Sequence, residues 1–111
     1  GPGNAGFRAF VHEIERLRDA DERALEQVDP HHEVEREGAE RLRANVAFQD
    51  AIARAGREAM EKHGLDEDAC VAELCIELQD EGLLQESVEQ ASHIHGLSQQ
   101  DISKYLARPQ K

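Results

Sequence analysis

The stretch Ser87-Val-Glu-Gln-Ala-Ser-His-Ile-His-Gly-Leu-Ser-Gln-Gln-Asp-Ile-Ser-Lys-Tyr-Leu-Ala107 contains two helix starts in close succession. Ser87 with Gln90, and Ser98 with Asp101, each match a capping box. In such a box the hydroxyl accepts a hydrogen bond from a backbone amide, and the later side chain reaches back to the start of the helix. Gly96 lies between the two starts and permits the tight backbone that separates helices crossing at a steep angle. The stretch therefore predicts two short helices joined by a turn at Gly96.

This pair of predicted helices resembles the helix-turn-helix of the lac repressor type and of many phage and mobile-element regulators. The resemblance covers residues 87–107. It depends on a small residue in the first helix, a turn glycine, the hydrophobic residue after that glycine and two hydrophobic residues of the second helix. These positions are held by Ser92, Gly96, Leu97, Ile102 and Tyr105. Ser92 is less common there than alanine, and His95 takes a place that the family usually fills with an apolar side chain.

The resemblance implies that the second helix enters the major groove of double-stranded DNA and reads base edges with its early exposed residues. The residues carried over as DNA contacts are Ser98, Gln99, Gln100, Ser103, Lys104 and Arg108. A glutamine amide matches the acceptor and donor that adenine presents in the major groove. Lys104 and Arg108 would contact phosphate. The expected function is sequence-specific DNA binding in transcription regulation.

The residues before this motif show helical periodicity without any alternating strand pattern, so the expected fold is all-α. Residues 7–63 are predicted to form a helical hairpin, with a first helix from Phe7 to Val28, a stop at Asp29-Pro30 and a second helix from about His32 to Lys62. Pro30 suits the first turn of a new helix, and Asp29 is expected to cap that turn. Residues 64–107 are predicted as a three-helix unit that starts with a helix from Asp66 to about Glu81. Residues 1–6 are expected to be disordered or a tag remnant, and residues 108–111 a frayed end.

The hairpin is also the predicted site of self-association. With three Phe, one Tyr and no Trp, the core must be small, and small cores favour oligomers. Apolar residues recur at coiled-coil spacing along the first helix and form a broad stripe on the second. The predicted interface of a homodimer or larger homo-oligomer consists of Phe10, Ile14, Leu17, Val28, Leu42, Val46 and Ile52.

The charge distribution supports an alternative function. The chain has 13 Lys and Arg against 24 Asp and Glu, a formal net charge of -11. Residues 66–111 hold only 3 of these basic residues and 10 of the acidic ones. Non-specific affinity for DNA comes mostly from basic residues that displace counterions from phosphates. The alternative is therefore an acidic helical adaptor or inhibitor that docks on a basic protein.

The sequence offers little for catalysis or metal binding. Cys70 and Cys75 are five residues apart, so one helix points their side chains away from each other, and the surrounding acids would raise a thiol pKa. The six histidines show no His-x-x-x-His spacing, and there is no Cys-x-x-Cys pair. We expect no enzyme activity, no metal and no cofactor. Without an apolar run long enough to span a bilayer or a signal peptide, we expect a cytoplasmic protein.

Overall fold

The computed structural model describes residues 6–83, which form three α-helices and no strand. Helix α1 runs over Gly6–Glu26, α2 over Glu33–His63 and α3 over Glu67–Asp80. Helix α2 is central, because α1 and α3 both pack along it and contact each other far less. The predicted all-α fold and the helical hairpin are thus confirmed for the described part of the chain.

One core joins the three helices near the start of α1, the end of α2 and α3. Its side chains are mostly aliphatic, with two phenylalanines of α1 whose ring centroids lie 5.9 Å apart. The buried members are Phe7, Phe10, Val11, Ile14, Ile52, Ala53, Ala55, Ala59, Cys70, Val71, Leu74, Cys75 and Leu78. Since α3 contributes to the same core as the hairpin, it is held by tertiary packing as well as by its own caps.

Helix α1 packs tightly against α2 at Gly56. A Cβ atom on Gly56 would lie 2.6 Å from Cγ2 of Val11, a residue that is fully buried. Real Cβ atoms do not come that close to another carbon, so this crossing requires a residue without a side chain. The small residues Ala53 and Ala59, each 1% exposed or less, continue the close packing along α2.

The start of α1 is held by α3. The backbone amide of Phe7 donates a 3.1 Å hydrogen bond to Oε1 of Glu67, which satisfies one of the free amides at a helix start. Gly6 has a positive φ of 73°, and a Cβ there would overlap the same carboxylate. Glu67 thus ties the first residues of the described chain to the start of α3.

The turn between α1 and α2 differs from the prediction. Asp29 does not cap a helix at Pro30: its carboxylate accepts from the amide of His31 at 2.9 Å, and α2 begins only at Glu33 after the N-cap residue His32, whose side chain makes no capping bond. The aspartate therefore closes a local turn, a bond that aspartate side chains commonly make outside helices.

The buried line of α1 also departs from the predicted stripe in its second half. Its spacing from Leu17 and Val28 predicts that Ala24 lies on the stripe, but Ala24 is exposed and the neighbouring Leu25 is half-buried. Asp21, the polar residue at the one vacant position of the predicted stripe, is half-buried, and so is Arg18, which reaches Asp50 of α2. A seam that carries polar residues at two of its positions is not recognisable from apolar spacing alone.

Candidate functional site

The predicted helix-turn-helix, residues 87–107, lies outside the described residues, as do the DNA contacts proposed on Ser98, Gln99, Gln100, Ser103, Lys104 and Arg108. These assignments remain predictions. The described residues show what precedes the motif, which charges lie near it and which faces of the hairpin are open to a partner.

Helix α3, the element that leads into the motif, has a well-defined start and end. The carboxylate of Asp66 accepts from the amide of Ala69 at 3.1 Å, as the sequence predicts for an N-cap. At the other end Gly82 has a φ of 74°, and the amide of Leu83 donates to the carbonyl of Leu78 at 2.8 Å. This bond and the contact of Leu83 with the core are those of a glycine-terminated helix end. The chain therefore leaves α3 in a fixed direction at Gly82.

The surface around α3 is acidic. Residues 66–83 contain seven Asp and Glu and no Lys or Arg. Only Glu73 among them has basic partners within residues 6–83: Nε2 of His63 at 3.0 Å and Nζ of Lys62 at 3.2 Å, both at the end of α2. Hydrogen bonds from these two side chains lower the pKa of Glu73. The field that α3 presents to solvent is thus strongly negative and repels a polyanion.

The seven residues predicted as an oligomer interface divide into two groups. Phe10, Ile14 and Ile52 are at most 1% exposed and belong to the core of the single chain, so they are not available to a second copy. The remaining four are half-buried: Leu17, Val28, Leu42 and Val46. The best-buried residues at coiled-coil spacing therefore make contacts between helices of one chain and not between two copies.

A polar layer divides the hairpin seam, and the sequence analysis missed it. Gln49 of α2 is 8% exposed, and its side-chain carbonyl oxygen has no hydrogen-bond partner. Nearby, Nη1 of Arg18 reaches Asp50 of α2 at 3.0 Å. Polar residues within a helical seam cost stability but favour one register of the two helices over others. The sequence signal for this layer is the vacant position of the apolar stripe at Asp21, three residues after Arg18.

A second ion pair between α1 and α2 lies farther along the seam. Arg57 contacts Glu15 through Nη2 and Oε1, 2.6 Å apart, and through Nε and Oε2, 2.9 Å apart, which is the two-point geometry that guanidinium and carboxylate groups favour. Its hydrogen bonds lower the pKa of Glu15. Both groups are partly exposed, so the pair adds more to register than to stability.

The two thiols are core groups. Cys70 and Cys75 are free and buried, and burial raises the pKa of both, that of Cys75 to about 11. Sγ of Cys70 lies 3.5 Å from the carbonyl oxygen of Ala59. Neither thiol has the thiolate character that a nucleophile or a metal ligand needs. Within residues 6–83, no group of three or more His, Cys, Asp or Glu side chains is placed to hold a metal ion.

No protein-family model, curated protein or solved structure matches the chain. Of the three helices in the described region, none is long and apolar enough to cross a membrane.

Proposed function

We propose that the protein is a sequence-specific DNA-binding regulator that acts as an oligomer, with residues 87–107 as its helix-turn-helix. The observation that carries the proposal is the paired capping boxes of Ser87 and Ser98 around Gly96, with the apolar positions that this motif requires. In this assignment Gln99 and Gln100 read base edges, and Lys104 contacts phosphate.

The arrangement of α3 supports this proposal. Three-helix DNA-binding units carry one helix ahead of the helix-turn-helix pair, and α3 precedes the motif by only a few residues. Its end at Gly82 is fixed by backbone hydrogen bonds, and Leu83 is anchored on the core. The described part of the chain thus ends at a fixed point on the core, just before the proposed motif.

The charges of α3 restrict how DNA could approach. With seven acidic and no Lys or Arg residues in 66–83, the exposed side of α3 must face away from the duplex. Few phosphate contacts are then available, so affinity must come from base contacts and from two motifs acting together on one DNA molecule. A monomer would bind weakly.

The experiment is selection of bound sequences from a random duplex pool by the full chain at low salt. Wild-type protein should enrich one motif, and the matched variant Gln99→Ala/Gln100→Ala should lose that enrichment while keeping its fold by circular dichroism. Absence of any enriched sequence with wild-type protein rejects the proposal.

A second candidate, favoured by the acidity of α3, is an adaptor that docks on a basic protein. A polycation is the probe that separates the two. Retention on immobilised polylysine but not on heparin at low salt, together with no enriched DNA sequence, is the pattern expected for the adaptor. Retention on heparin is expected for the regulator, since heparin presents the closely spaced anions of a nucleic acid backbone.

A further inference from the structure

The face of the hairpin that holds α3 continues beyond the end of α3. At 1.5 Å per residue, α3 spans about 21 Å and α2 about 46 Å, so α3 can cover less than half of α2. On the covered part, Ala59 contacts Cys70 of α3, and Ile52 is 1% exposed. Steps of one heptad back along α2 lead from Ile52 to Asn45, which is exposed, and to Gly38, which is half-buried.

The part of α2 beyond α3 has a glycine whose presence no contact within residues 6–83 explains. Gly38 lies inside a helix, where glycine costs about 1 kcal/mol relative to alanine. No heavy atom lies within 4 Å of the place that its Cβ would take, in contrast to Gly56, which Val11 contacts. One turn before it, Val34 is 73% exposed. Val34 and Gly38 therefore form a small, apolar line that is open to solvent and allows a close approach of another backbone.

The charged residues of α2 also differ between the part beside α3 and the part beyond it. In its second half the arginines and the lysine all have acidic partners: Arg54 pairs with Asp50, Arg57 with Glu15 and Lys62 with Glu73. In its first third none of the charged side chains takes part in an ion pair within residues 6–83. These seven are Glu33, Glu35, Arg36, Glu37, Glu40, Arg41 and Arg43. This end of the helix thus has unused charges of both signs, as a surface that pairs with itself requires.

Two of these charges flank the line of Val34 and Gly38 at the spacing that a symmetric contact needs. Glu37 and Arg41 are one turn apart on the same side of α2. If two copies of α2 lie antiparallel about a two-fold axis at the level of residue 39, on the side of α2 opposite the buried Ala39, Glu37 of each copy lies beside Arg41 of the other. Because Gly38 has no side chain, there is room beside it for the aliphatic part of the arginine. In an isologous contact of this kind, the pair of Glu37 and Arg41 occurs twice, once on each side of the two-fold axis.

We infer that the face of α2 formed by Val34, Glu37, Gly38, Arg41 and Asn45 binds the same face of a second copy of this chain in antiparallel orientation. The two hairpins would then complete a four-helix contact, with α3 of each copy at opposite ends. Leu42, which is half-buried and predicted from sequence as an interface residue, follows Arg41 on α2 at the border of this face. The inference deepens the proposed function by naming the contact that would hold two motifs on one DNA molecule.

The test is sedimentation velocity of the full chain over a broad concentration series, without DNA, so that its outcome is independent of DNA binding. Wild-type protein should sediment as a dimer. Arg41→Glu and Glu37→Arg should each weaken dimerisation about tenfold, because each replaces two attractions with two repulsions. The double variant Glu37→Arg/Arg41→Glu should restore dimerisation. Arg36→Glu on the opposite side of α2 is the matched control and should have no effect.

Gly38→Leu provides a second measurement that does not depend on charge. It should abolish the dimer while leaving the helical content of the monomer unchanged, since no atom of residues 6–83 occupies the space beside Gly38. Wild-type protein that is monomeric throughout the series would overturn the inference. So would a dimer that Arg41→Glu and Gly38→Leu leave intact, because the interface would then lie elsewhere. If the protein binds DNA sequence-specifically but does not form this dimer, the inference is wrong and the proposed DNA binding stands.

Discussion

Replacing Gly56 with alanine tests the tight packing of α1 against α2. The added methyl group would lie 2.6 Å from Cγ2 of Val11 and 3.6 Å from both Cβ and Cγ1 of the same residue. Val11 cannot turn away easily, because a β-branched side chain in a helix has one strongly preferred rotamer and this one is fully buried. The helices must therefore separate locally.

The size of the effect follows from two opposing contributions. Overpacking of a filled core costs about 1–3 kcal/mol. Alanine gains about 1 kcal/mol over glycine in a helix interior. Gly56→Ala should therefore lower the free energy of unfolding by up to about 2 kcal/mol.

Urea denaturation followed by far-ultraviolet circular dichroism measures this change. The control is the double variant Val11→Ala/Gly56→Ala, in which the new methyl group occupies space that the valine methyls have left. The two substitutions should be coupled by about 1–2 kcal/mol in the favourable direction. A Gly56→Ala protein more stable than the wild type, by the helix propensity alone, would refute the close crossing.

Two further predictions concern titratable groups. The pKa of Glu73 is lowered from its ordinary value of 4.5 by Lys62 and His63, so its contribution to stability is present above that value and is lost as the pH falls through the lower folded value. Glu73→Gln should lower the free energy of unfolding at neutral pH by about 1 kcal/mol and make it depend less on pH in the acid range. Urea titrations at several pH values measure both effects, and an unchanged pH dependence would contradict the ion pair. Because burial raises the pKa of Cys75 to about 11, only about one thiol in ten thousand is ionised at pH 7. Alkylation of Cys75 should therefore be slow in the native protein and fast in denaturant, and rapid native alkylation would contradict its burial.

The sequence predicts the helices of the described region well, because their ends have local causes. The N-cap of α3 at Asp66 and its end at Gly82 are each determined by a few neighbouring residues, and both were predicted correctly. The start of α2 near His32 agrees with the prediction, but the cap expected from Asp29 at Pro30 does not form. In the structure the same aspartate closes a turn, and local preference does not distinguish these two uses.

The contacts between helices are less predictable, because they depend on which residues meet across the seam. The apolar spacing of Phe10 and Ile14 indicates a buried face but not whether the neighbour belongs to the same chain, and here it does. No local sequence pattern distinguishes Gln49 or Gly56. The burial of Gln49 and the tight contact at Gly56 are seen only in the packed structure. The motif at residues 87–107 was inferred from capping and spacing alone, and its function requires a binding measurement.

The most direct test of that function compares affinities for a selected duplex and a scrambled duplex at the same low salt. Wild-type protein should prefer the selected site, and Gln99→Ala/Gln100→Ala should lose about 1–3 kcal/mol for each lost bidentate contact while its weak affinity for the scrambled duplex stays the same. The selected site should be a symmetric pair of half-sites about one DNA turn apart. Equal affinity of wild-type protein for both duplexes would contradict the regulator and leave the acidic adaptor as the better account of this chain.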